Sequence, residues 1–229
     1  MIKYGQKKTE DTGVDIFDII GPVMIGPSSS HTAGAVRIGR AALGLLDDEP
    51  ARAVITLSGS FARTHRGHGT DKALIAGLMG MTVDDLRIRE SLELAALDYE
   101  FRTEDFPDAH PNTAEIDLTG KNGAHIVMRA CSVGGGAIRV TQLNGIVVSF
   151  TGALDTLVIS HTDAPGIIAN VSSLIAALGV NIATMQVFRR SAGGDAVMVI
   201  ETDNAPDAEC VRMIRRLRGI RTANLLARL

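Results

Sequence analysis

The chain has 229 residues, 45% hydrophobic and 21% charged, with a mean hydropathy of +0.17; that supplies apolar surface for one or two packed domains and too little charge for disorder. A net charge of −3, a pI near 6.1, 3% aromatic residues and no Trp give neither the cationic surface nor the stacking platforms of a nucleic-acid binder. No apolar run approaches the roughly 18–20 residues of a membrane span, and Glu10 and Asp11 precede any apolar stretch, so a soluble cytoplasmic protein without a signal peptide is expected.

In chain order, residues 15–20 read as a short helix stopped by Gly21-Pro22. The polar run Gly26-Pro27-Ser28-Ser29-Ser30-His31-Thr32 leads into an amphipathic helix over 33–46, with Ser30 or Thr32 as its natural cap. Residues 54–58 are a β-type run, followed by a glycine- and cation-rich loop over 59–69. A helix is predicted over 71–81. Thr82 is placed to cap another, carrying Leu86, Ile88, Leu92, Leu94 and Leu97.

Beyond Pro107 and Pro111 the period changes to two. Residues 113–118 and 124–130, joined by Lys121-Asn122-Gly123, read as one hairpin; 138–143 and 146–150, joined by Asn144-Gly145, read as a second. Ser132-Val133-Gly134-Gly135-Gly136 between them is either a flexible connection or a place where backbone approaches something closely. After a seam at 151–153 come strand 154–160, helix 167–178, strands 180–188 and 196–202, helix 207–217 and strand 220–226. This βαββαβ order predicts a four-stranded antiparallel sheet with both helices on one face, and the open face calls for cover by a second copy.

Two polar clusters precede helices in the N-terminal part. Ser28, Ser29, Ser30, His31 and Thr32 crowd a helix start, where free N–H groups and the dipole favour a carboxylate or phosphate. An ordinary serine cap explains one of these residues, not all five. No Gly-Lys-Ser/Thr follows, so this is not a P-loop. In the second cluster, His65 and His68 lack a companion Glu or Cys and do not amount to a metal site. His68, between Gly67 and Gly69, suits proton transfer better than core packing, and Asp71 either orients it or caps the next helix. Cys131 and Cys210 are too few and too far apart for a disulfide framework, a zinc site or an iron–sulfur cluster, so cluster chemistry would need thiolates from another chain.

In the C-terminal part, Ser160-His161-Thr162-Asp163-Ala164-Pro165-Gly166-Ile167 is an efficient helix start, with Asp163 as a cap. It is also a candidate small-molecule turn, in which the helix N-terminus attracts a carboxylate while Asp163 and His161 hold an ammonium or a hydroxyl. With Gly179-Val180-Asn181-Ile182, residues 154–227 resemble an ACT domain, a fold that binds amino acids between paired copies. The resemblance implies effector contacts at His161 and Asp163 of one copy and at Asn181 of the partner copy, with Gly166 and Ile167 at the same turn. Asp163 stands where several relatives have Asn, which leaves the effector's identity open.

The Ile25–Thr32 run, the segment from Gly59-Ser60-Phe61 to Gly67-His68-Gly69-Thr70-Asp71, the stretch Arg87 to Leu92, Ser132–Gly136 and the terminal ACT-like part occur together in one family. The chain resembles the β subunit of bacterial iron–sulfur-dependent L-serine dehydratase over nearly its whole length. The implied fold is α+β: an α/β domain over 1–150, similar to the allosteric substrate-binding domain of some phosphoglycerate dehydrogenases, then a ferredoxin-like ACT domain over 154–229. The resemblance also implies a [4Fe–4S] cluster ligated by an α subunit, with none held by this chain. His68 would be the base that takes the Cα proton of L-serine. Ser28, Ser29, Ser30, His31, Thr32, Thr70 and Asp71 would line the substrate pocket, and the ACT part would sense serine or another small amino acid in a homodimer. The alternative is a non-catalytic sensing subunit whose N-terminal site is purely allosteric.

Overall fold

The computed structural model describes residues 25, 26 and 28–229; the helix predicted over 15–20, and Pro27, lie outside them. A π-helical turn, Ser29–Ala33, runs directly into α1 (Gly34–Leu46). There follow β1 (Pro50–Ser58), α2 (Gly59–His68), α3 (Thr70–Leu78), a 3-10 turn (Leu86–Glu90), α4 (Ser91–Leu94) and β2 (Asp98–Thr103). Strands β3 (Asn112–Gly120), β4 (His125–Gly134), β5 (Ala137–Leu143) and β6 (Ile146–Phe150) complete a six-stranded sheet of order β2-β1-β3-β4-β5-β6, in which only β1 and β2 run parallel.

The apolar stripe of α1 lies on this sheet, with Val36, Ile38 and Leu45 buried against the row Ala114, Ile116 and Leu118 of β3. Helix α3 crosses α1 at two facing glycines. A Cβ at Gly39 would stand 2.9 Å from Gly77 Cα and closer still to the Leu74 carbonyl; one at Gly77 would meet Arg40 N at 2.9 Å and the Val36 carbonyl. The two backbones touch because neither residue carries a side chain.

The second sheet follows the predicted pattern. Strands β7 (Asp155–Thr162), β8 (Ile182–Arg189), β9 (Asp195–Thr202) and β10 (Ile220–Leu226) are antiparallel in the order β10-β7-β9-β8, with α5 (Ile167–Ala177) and α6 (Ala208–Arg215) packed over one face. Leu157, Ile159, Met198 and Ile200 point toward the helices, while the alternate residues Val158, Val197 and Val199 join the core of the first sheet. The face expected to need a second copy is therefore covered within the chain. At the seam, Asn224 Nδ2 donates to the Leu45 carbonyl at 2.6 Å, and Arg215 pairs with Asp47 at 2.7 Å.

Several local expectations change. The segment 59–69 is helix rather than loop: its glycines sit at or near the ends, and Phe61, fully buried, anchors an interior with no breaker. Ser28, not Ser30 or Thr32, caps the first helical segment, because the π-turn begins the helix earlier. Thr82 does not cap a long helix. Its hydroxyl donates to Asp84, Asp85 caps the short 3-10 turn, and Leu86 and Leu94 are 71% and 45% exposed. β2 has no counterpart in the predicted elements, being a mostly exposed edge strand with no buried alternation. Ser132, Val133 and Gly134 belong to β4, and Gly135 and Gly136, both at positive φ, make a tight turn.

Candidate functional site

The π-turn and the C-terminal end of α2 bring the two N-terminal clusters together. Ser28 Oγ accepts from the His31 backbone N–H at 3.3 Å and lies 3.2 Å from Nδ1 of the same residue. Ser60 Oγ lies 3.2 Å from His31 Nε2, so the imidazole is braced at both nitrogens. Its ring meets His68 edge-on, with centroids 4.7 Å apart, and tilts against Phe61 at 5.3 Å. Burial, and then the neighbouring charge of His68, hold the His31 pKa below its ordinary value.

His68 is the last residue of α2, half-buried, and Gly69 in the left-handed region turns the chain into α3. Its Nδ1 is buried without a hydrogen-bond partner among the described residues. Thr32, itself buried, sends its hydroxyl toward the His68 carbonyl at 3.5 Å. His68 and Thr32 border a cleft of about 540 Å³ whose rim also carries Arg66, Lys72 and Arg89. None of these three cations is in an ion pair among the described residues, which leaves the mouth of the cleft positive.

The remaining predicted residues divide. Ser29 and Ser30 are half-buried in the π-turn. Thr70 is fully buried, its hydroxyl unpaired among the described residues, next in chain to the His68–Gly69 corner. Asp71 accepts from the Lys72 backbone N–H at 2.8 Å and makes no hydrogen bond to His68 among the described residues, so it serves the start of α3 rather than orienting the imidazole. Sequence reasoning missed Ser60 as the second brace of His31, and Ser132, whose buried hydroxyl, without a partner among the described residues, fills the space where a Cβ at Gly34 would sit. Both lie in quoted motifs, but nothing in their spacing announces the contact.

Within one chain the C-terminal candidates lie apart. Asp163 does not cap α5, which starts after Gly166 without a side-chain cap. Its carboxylate accepts from Arg189 Nη1 at 2.8 Å and from the Gly193 N–H at 3.0 Å; that arginine, and then the backbone donor, hold its pKa below the usual carboxylate range. Asn181 is exposed and donates to Asp203. Ile167, the first residue of α5, is buried while Gly166 is open to solvent. His161 is buried away from these groups' hydrogen bonds, donating from Nδ1 to the Thr162 carbonyl at 2.9 Å.

Residues 14–99 match the serine dehydratase beta chain family, and 156–218 match the ACT domain family. The chain is 43% identical over 208 residues to the "Probable L-serine dehydratase, beta chain" of Bacillus subtilis (strain 168), covering 90% of this chain and 94% of that one. The chain belongs to the L-serine dehydratase beta-chain family. A second member, the "L-serine dehydratase, beta chain" of Peptoniphilus asaccharolyticus, is 37% identical over 196 residues, 84% of this chain and 88% of its own. The D-3-phosphoglycerate dehydrogenase of Synechocystis sp. is 27% identical over 198 residues, which are 85% of this β chain but 35% of that protein. The βαββαβ unit is thus an ACT domain, following a mixed α/β unit as expected. Among the described residues no helix is long and apolar enough to cross a membrane.

Proposed function

We propose that this chain supplies the proton-transfer half of an L-serine dehydratase active site and works with a separate α chain. The observation that carries the reading is the His31–His68 pair. One imidazole is braced by two serine hydroxyls; the other sits at a cationic cleft with an unspent nitrogen. In the proposed reaction L-serine enters with its carboxylate toward Arg66, Lys72 and the π-turn. His68 takes the Cα proton, and the electron pair left on Cα expels the β-hydroxyl as hydroxide, which takes up a proton to become water. The resulting aminoacrylate tautomerises to an imine that water hydrolyses to pyruvate and ammonia. His31, its pKa lowered by burial and its ring held by Ser28 and Ser60, fixes the His68 ring edge-on.

The thiols of this chain do not suit an iron–sulfur cluster. Cys131 is buried on β4 and Cys210 within α6, in different layers, and burial pushes both thiols above their ordinary pKa. A [4Fe–4S] cluster would belong to the α subunit. The ACT domain would sense a small amino acid.

In a reconstituted α/β complex, His68→Ala is expected to lower kcat by about 10²–10⁴-fold with assembly intact by gel filtration. The second reading, a purely allosteric N-terminal site, is favoured by the likeness of 85% of the chain to a protein named for a different reaction. Turnover that survives His68→Ala, with only cooperativity altered, selects that second reading.

A further inference from the structure

At the seam between the sheets lies a cavity of about 320 Å³. The C-terminal end of α1, the β3–β4 and β5–β6 turns, and the sheet face of β7, β9 and β10 enclose it. It is separate from the His31–His68 cleft. It also differs from the Asp163 turn, whose carboxylate is already committed to Arg189 and Gly193. We propose that this cavity is a binding site, complete within one chain, for a small α-amino acid in its zwitterionic form.

The size sets the first limit. Small-molecule sites run from about 300 to 1,000 Å³, so this cavity takes a metabolite of few heavy atoms. Its polar groups set the second. Arg221 and Asp195 face each other at 2.5 Å with side chains 54% and 59% exposed. Such an exposed pair holds together weakly, and can open to give the guanidinium fork to a carboxylate and the carboxylate to an ammonium. The other charged groups nearby are engaged elsewhere: His125 with Asp117, and Asp47 with Arg215. One free-standing pair of opposite charges suits a zwitterion and not a phosphate or a polyanion. The wall between them is apolar, from Ile126, Leu143, Val158 and Val197, and accepts a short side chain.

A second observation is independent of the charges. His161, which also lines the cavity, is 2% exposed, and its Nε2 has no hydrogen-bond partner among the described residues. A carbonyl can only accept, so Nδ1 donates to Thr162 and Nε2 is the ring's unspent polar atom. Buried polar atoms are rarely left unpaired. A polar group of the bound amino acid supplies that partner. The ligand would also touch Leu45 and Asp47, at the opposite end of α1 from the His31 turn, so its binding is placed to bear on both sheets.

The inference rests on the reading that the C-terminal unit takes an amino acid, but it moves the site and needs no second copy. Isothermal titration of the full chain with glycine, L-alanine and L-serine tests it, with L-lactate as a probe lacking the ammonium. At least one of the amino acids is expected to bind at one per chain, with L-lactate at least tenfold weaker. Arg221→Met and the cavity-filling Ser160→Leu should each weaken that binding at least tenfold, while Asn181→Ala leaves it unchanged; circular dichroism and urea midpoints confirm that each variant folds. Binding by all three amino acids that is lost in Asn181→Ala but kept in Arg221→Met and Ser160→Leu overturns the cavity and upholds the paired-copy site. No binding of any amino acid overturns both.

Discussion

Replacing Gly39 by Ala sets two effects of opposite sign against each other. Helix propensity favours Ala over Gly by up to about 1 kcal/mol. At this position, however, the new methyl would stand 2.9 Å from Gly77 Cα and Leu78 N, and nearer still to the Leu74 carbonyl, where ordinary contact begins at 3.4 Å. All three obstacles are backbone, so no side chain can rotate away and α1 must separate from α3. Overpacking of this kind costs about 1–3 kcal/mol. With rigid backbone on the opposing helix the upper end applies, which leaves a net loss of about 2 kcal/mol. At a urea m-value of about 3 kcal/mol/M, the unfolding midpoint should fall by roughly 0.7 M. Gly67→Ala is the control: it is helical, and nothing lies within 4 Å of its would-be Cβ, so propensity acts alone and the midpoint should rise. Equilibrium unfolding followed by circular dichroism measures both. If Gly39→Ala raises the midpoint as Gly67→Ala does, the helices do not touch at this crossing and the packing account is wrong.

Two further outcomes follow from the seam and the site. Asn224→Ala leaves the Leu45 carbonyl and one Arg215 donor without their partner, and should lower unfolding free energy in urea by about 1–3 kcal/mol. Asn224→Asp should cost at least as much, because a carboxylate oxygen then faces that carbonyl; a neutral result for both would detach Asn224 from the seam. The His31 pKa is depressed in the folded chain, so the unfolded chain binds more protons as pH falls through the ordinary histidine value near 6.5. Stability should therefore decline from that pH down to the folded-state value and level off below it. His31→Gln should flatten that part of the curve, measured as urea unfolding at half-unit pH steps.

The predicted strands of both hairpins and of the βαββαβ unit agree with the structure to within a few residues, because alternation and Asn-Gly or Gly-Gly turns are local signals. The segment 59–69 misled for a local reason too: three glycines and a lone Phe61 give no apolar period, and helix formation there depends on burying that phenylalanine under the sheet. The site was half legible. His31 and His68 announced themselves by their neighbours in sequence. Ser60, 29 residues from His31, did not, and no spacing rule could pair them. Asp163 shows the converse, since its place before a helix suggested a cap until Arg189 and Gly193, far along the chain, claimed its carboxylate.

Sequence by itself determined which segments alternate, which turns are tight, and which polar residues stand at helix starts, since each depends on neighbours a few positions away. Tertiary structure alone decided that α1 and α3 meet at two glycines, that the open face of the second sheet is covered from within, and that His161 borders a cavity between the sheets. Those outcomes depend on how whole faces of helices and sheets fit together, and such a fit is set by packing between segments well separated in the chain, beyond the reach of any local pattern.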